Sequence, residues 1–94
     1  FAVNDWMALK VQRAITAVGL KNPQDISVVG FDDLDIAQYQ NPPLTTVAQD
    51  AHLIGAEAAR RLITLMEGDA SREILTLLPT TLVVRGSTAP VKST

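Results

Sequence analysis

Two side chains are of a type and in a setting to hold a small polar molecule. Asp32 directly follows the apolar run Val28-Val29-Gly30-Phe31, and Asn4 directly follows Phe1-Ala2-Val3. In an open α/β sheet, ligands sit in the crevice outside the carboxyl ends of the strands, so polar groups at two such ends face one place. An ionised carboxylate only accepts hydrogen bonds and suits the vicinal hydroxyls of a sugar or ribose, whereas an asparagine both donates and accepts. A small number of placed polar groups of this kind is what a small-molecule pocket needs. Spacing alone leaves Asp32 two other roles. It could react with a substrate, or it could cap the helix that follows, where negative charge is favoured.

The reactive role lacks partners. The sequence has no G-x-G-x-x-G, no Walker glycine-lysine loop and no G-x-S-x-G elbow. His52 is the sole histidine, and no serine or cysteine can be paired with it from the sequence. Asp32, Asp33 and Asp35 imitate the start of a calcium loop, but the glycine and terminal glutamate of an EF-hand are missing. The expectation is a non-enzyme with no metal and no cofactor.

Composition narrows the class further. Ninety-four residues with 47% hydrophobic content make one small domain or part of a larger one. Phe1 opens the sequence inside what reads as the end of a strand, so a piece of a longer protein is expected. A formal charge of −2, with Lys10, Arg13, Lys21, Arg60, Arg61 and Arg72 scattered among acids, gives no basic stripe for nucleic acid. With no cysteine there are no disulfides or thiolate metal sites. No apolar run nears the roughly 20 residues of a membrane span, so no membrane partner is expected.

The elements that must position Asn4 and Asp32 follow from periodicity. Met7, Val11, Ala14, Ile15 and Val18 recur as one helical stripe from Asp5 to Val18, with Asn4 or Asp5 as cap and Gly19 just beyond the end. Leu9 lies about 200° around that helix from Met7, which predicts a partly exposed leucine. Lys21 to Asp25 reads as a loop, and Ile26 to Phe31 as a buried parallel strand. Asp32 to Gln40 suits a short helix with Asp32 or Asp33 at its N-terminus, Asp33 the better cap, and Asn41-Pro42-Pro43 must end it, with either proline free to be cis. A strand over Leu44–Ala48 leads to a second helix capped by Asp50, with Ile54, Ala58, Leu62 and Leu65 as its stripe and a Glu57–Arg61 surface pair. Gly68 ends it. Arg72–Leu78 and Thr81–Arg85 are strand candidates, and the tail from Thr88 to Thr94 reads as mobile. The sum is an α/β fold, a mostly parallel sheet flanked by helices.

Four blocks then resemble one family in order and spacing: Asn4 to Leu9, Ile26 to Asp33, Pro42 to Val47, and Leu82 to Thr88. Together they look like the C-terminal end of a LacI-family transcriptional repressor, over Phe1 to Thr88. The resemblance implies a fragment of a two-lobed effector-binding domain of periplasmic-binding-protein-like type I fold. It further implies a cytoplasmic homodimer, a small-molecule effector of sugar or nucleoside type, and operator DNA bound through a headpiece absent from this chain. Effector binding in the interlobe cleft would change operator affinity. Residues 1–48 would belong to the C-terminal lobe, 49–79 to the N-terminal lobe after a hinge crossing, and 80–94 to the returning strand and tail. Such a division replaces the single continuous sheet and makes the isolated chain a poor independent folder.

Carried over position by position, Asn4 and Asp32 match effector-binding residues, Gln49 matches the hinge, and Ala51 and Ile54 can line the cleft from the other lobe. Ala51 stands where the family often has a bulky aromatic, which implies a roomier pocket. Lys10 replaces a usual glycine. Leu9, Arg13 and Gln40 fall on the family's dimer face. A periplasmic sugar-binding protein of a transport system is the alternative, sharing the fold and the strand-end aspartate. The Pro42 block and the Arg85-Gly86-Ser87-Thr88 ending look repressor-like instead.

Overall fold

Asn4 sits in extended conformation and its side-chain oxygen accepts from the Met7 N–H at 2.8 Å, which starts helix α1, Asp5–Ala17. The helix ends in a Schellman pattern. Gly19, at φ +84°, donates to the Thr16 carbonyl, and Leu20 donates to that of Ile15. A 3-10 helix over Asp35–Tyr39, strand β1 (Thr46–Gln49), helix α2 (Ala51–Met66) and strand β2 (Thr80–Val83) complete the elements of this computed structural model, which describes residues 1–68 and 75–92. The chain forms two compact units, Phe1–Ala48 with Thr81–Thr94, and Gln49–Thr80.

The first unit is built on a layer of extended segments. Ala2 donates to Val29 and Asp5 to Phe31, so the first three residues run beside Val29–Phe31. Gly30 donates to Thr45 and Asp32 to Val47, with parallel bridges at Val29–Thr45 and Asp32–Ala48. β1 and β2 pair as a two-stranded sheet. The strand expected over Ile26–Phe31 is therefore an extended, hydrogen-bonded segment joined through isolated bridges. Ala2, Ala8, Ile15, Val28, Ala37 and Leu44 form the core, where complete burial of a Leu44-sized side chain contributes about 1.5–3 kcal/mol.

The buried face of α1 corrects the expected stripe. Asp5, Ala8, Leu9, Gln12 and Ile15 face inward, while Met7, Val11 and Val18 are exposed, Val18 by 72%. Leu9, expected to be partly exposed, is only 7% exposed. Two polar residues occupy the inward stripe, which is why hydropathy alone misplaces it. Gln12 is held there by hydrogen bonds from its amide nitrogen to Asn22 Oδ1 and the Pro42 carbonyl.

Other expectations shift in smaller ways. The short helix begins at Asp35 with Leu34 as an uncharged cap position, so neither Asp32 nor Asp33 caps it. Asn22–Pro23 and Asn41–Pro42 are cis. The tail is anchored as far as Lys92: Ser27 and Ala89 exchange hydrogen bonds, and Lys92 pairs with Asp25 at 2.8 Å. Leu75 to Pro79 holds no strand, and the remainder of the expected Arg72–Leu78 strand lies outside the described residues.

The second unit is carried by α2. Asp50 caps it through a 3.0 Å bond from the Leu53 N–H, and Gly68 follows it at φ +83°. Glu57 pairs with Arg60, and Arg61 reaches Thr76. Ile54, Ala58 and Arg61 line a 260 Å³ concavity with Leu75, Thr76 and Leu78. No residue of α2 is buried.

Candidate functional site

The two parallel backbone bonds from Ala2 and Asp5 bring the ends of two extended segments together, with Asn4 closing one and Asp32 the other. Within the first unit, both residues therefore sit at one edge of the layer. Asn4 differs from expectation in one respect. Its oxygen is committed to the α1 cap, which leaves the amide nitrogen as the group available to an outside acceptor. A carboxylate acceptor and an amide donor at one edge are complementary to a hydroxyl-bearing ligand.

The backbone at Asp32 is unusual. Asp32 has φ +116° and Asp33 φ +55°, two successive non-glycine residues in left-handed territory. Each such residue costs on the order of 1–3 kcal/mol and persists only where its surroundings over-determine it. Here they do. The N–H of Asp32 donates to Val47 O at 2.9 Å, and that of Asp33 to Thr46 Oγ1 at 3.3 Å. The Leu34 N–H donates to Asp5 Oδ2 at 2.7 Å. Asp5 also accepts from Thr46 Oγ1, at 2.6 Å on Oδ1. Asp33 pairs with Arg85 at 2.8 Å, and Arg85 donates its other guanidinium nitrogen to the Leu44 carbonyl.

Asp5 and Thr46 are both wholly buried, and periodicity offers no sign of either role. Their separation of 41 residues hides the pairing. Gly30 carries the one legible trace, since a glycine inside an apolar strand marks a close approach. A Cβ there would lie 2.3 Å from Asp5 Oδ1. Ser87, also missed, is buried and donates to the Val28 carbonyl while accepting from the Thr45 N–H.

The remaining site residues divide between the units. Gln49 ends β1, and Ala51 and Ile54 lie in the first turn of α2, all in the second unit. Leu9, Arg13 and Gln40 together line a 230 Å³ surface concavity of the first unit, with Gln12, Thr16 and Asn41. His52 is exposed in α2. Among the described residues, no three His, Asp or Glu side chains cluster as a metal site would require. No described helix is long and apolar enough to cross a membrane.

A family model described as periplasmic binding protein-like domain matches residues 1–88. The chain belongs to this family. The lactose operon repressor of Klebsiella pneumoniae is 49% identical to this periplasmic-binding-protein-like chain, over 94% of the chain and 25% of that protein. A crystal structure of the lac repressor dimer bound to operator and the anti-inducer ONPF superimposes with TM-score 0.87 at 44% identity, covering 95% of this chain and 32% of that one. A complex of the transcriptional regulator CelR with cellobiose gives TM-score 0.87 at 39% identity, covering 93% and 27%. The chain thus spans about a quarter of the length of the curated relative. These relatives are transcriptional regulators, so the LacI resemblance stands and the transport-protein alternative is not favoured.

Proposed function

We propose that this chain is the effector-binding and dimerisation part of a bacterial transcriptional regulator, and that it binds a sugar-like small molecule without chemically changing it. What carries this reading is that Asn4 and Asp32 follow two extended segments joined by backbone hydrogen bonds, an amide and a carboxylate of the types that hold a hydroxyl-bearing ligand. Relatives that bind cellobiose or operator DNA support it. The split at Ala48/Gln49 and Thr80/Thr81 supports assigning residues 1–48 and the returning chain to one lobe, and 49–79 to the other.

On this reading Asn4 and Asp32 serve the effector from the first unit, and Gln49, Ala51 and Ile54 from the second. The effector stabilises one arrangement of the lobes by binding it better, and so biases an equilibrium that the DNA-binding headpieces share in the cytoplasm. Leu9, Arg13 and Gln40, lining one concavity, contribute to the homodimer contact. At 7% exposure Leu9 offers a partner little area, so Arg13 and Gln40 carry more of it.

Calorimetry on the full-length regulator with a panel of mono- and disaccharides including cellobiose tests the site. Asp32→Asn weakens sugar binding by about 1.5–3 kcal/mol, the scale of a hydrogen bond to a charged group, while operator binding without sugar is kept. Unchanged sugar affinity would remove Asp32 from the site.

A further inference from the structure

We propose that Asp5, acting with Thr46, is a positioning residue that locks the Asp32–Asp33 backbone in its left-handed conformation and thereby aims the Asp32 carboxylate. The inference rests on the reading of Asp32 as an effector contact. Three consecutive N–H groups, those of Asp32, Asp33 and Leu34, are tied down, and two of the three bonds run through Thr46 and Asp5. Thr46 is the relay: its hydroxyl accepts from Asp33 and donates to Asp5. Asp5 also donates its own N–H to Phe31 and directly follows Asn4. One buried carboxylate therefore spans both segments that end in ligand-facing groups.

A stability role alone accounts poorly for this choice. A buried hydrogen-bonded pair is weak evidence for stability, because apolar groups of the same shape in place of both partners are often neutral or stabilising. A buried carboxylate here takes the room that Gly30 leaves open and uses its two oxygens on two different partners. Those partners do not belong to α1. They belong to the loop carrying Asp32 and to β1: Asp5 holds Leu34, the residue just after the left-handed pair, directly, and holds Asp33 through Thr46.

The test uses the full-length regulator, with Thr46→Val removing the hydroxyl at near-constant volume and Asp5→Asn replacing one acceptor by a donor. Two quantities are read: amide hydrogen exchange along the chain, and calorimetric affinity for cellobiose and ribose. Both variants lose protection at Asp33 and Leu34 by about tenfold or more, relative to the α1 amides, as expected when local opening no longer breaks a buried bond. Sugar affinity falls by about tenfold in step, and Thr46→Ser, which restores the hydroxyl, returns both readouts to within about twofold of the parent. Loss spread evenly over the whole first unit, or unchanged protection at Asp33 and Leu34, would overturn the proposal. If Asp32→Asn weakens sugar binding and neither variant does, positioning fails while the effector reading survives. If Asp32→Asn changes nothing and the local exchange still rises, the effector reading fails and the aim of the carboxylate loses its purpose. Where neither sugar binds the parent, the exchange pattern and its rescue by serine decide whether the lock exists.

Discussion

The two units obey the same local rules and differ in what those rules accomplish. Each has a helix started by an asparagine or aspartate cap and followed by a left-handed glycine. In the first unit α1 buries five residues against a shared core. In the second, α2 is longer and more apolar in its stripe, yet buries none, and Leu62 remains 58% exposed. Capping and periodicity define a helix, but only a packed partner turns it into stable structure. The contrast also separates two kinds of polar group. In the first unit Asp5, Thr46 and Ser87 are buried and fully engaged, whereas the Glu57–Arg60 pair of α2 lies at the surface and carries little energy.

This contrast can be broken at several points. Leu44→Ala should lower the stability of the full-length regulator by about 2–5 kcal/mol in urea titrations, since it empties a wholly buried position. Next comes Gly30→Ala, where the new methyl meets the Asp5 carboxylate and costs about 1–3 kcal/mol through forced displacement; a neutral result would mean that Asp5 moves aside freely. Asp50→Ala deletes the α2 cap and costs about 1 kcal/mol, seen as faster exchange in its first turn. In the isolated 94-residue chain, Leu62→Ala shifts stability by less than about 0.5 kcal/mol, as a surface change should. In that same chain α2 amides exchange at nearly unfolded rates, and a single cooperative melt at low concentration would erase the distinction between the units. The smallest effect is electrostatic. The Lys92 ammonium, and then the Lys21 N–H, hold the Asp25 carboxyl below its ordinary value of 3.8. A depressed carboxyl contributes above its unfolded value and loses that contribution as pH falls through the lower folded one. Exchange at the Lys21 amide should therefore quicken only below about pH 3.8, and Lys92→Ala should move that onset upward.

The sequence was informative where a residue's role depends on its neighbours in the chain. The Asn4 cap, the Gly19 and Gly68 helix ends, the Asp50 cap and the α/β order all follow from local rules. It misled where burial is decided by distant partners. Gln12 is buried with its amide held by Asn22 and the Pro42 carbonyl, and Leu9 lies on the same inward face, facts no helical wheel contains. The capping role considered for Asp33 failed for the same reason, since Arg85, 52 residues away, takes its carboxylate. For the candidate site, the edge position of Asn4 and Asp32 was legible from two apolar runs ending in polar residues. The left-handed turn and the Asp5–Thr46 relay beneath it were not, because neither aspartate nor threonine advertises such a place.

The first unit is assembled from two stretches separated by the whole of the second, and this orders its birth on the ribosome. Ser87 closes the Val28 and Thr45 backbone and offers its carbonyl to Asn22, and Arg85 pairs with Asp33, all from the stretch that is synthesised after the second unit. At roughly 5–20 residues per second, the segment between the two stretches delays that closure by a few seconds. Through that interval the nascent chain carries Leu44, Val28 and the Asp32 turn without their final partners. The Asp32–Asp33 turn is thus completed only after the whole of the second unit has been made.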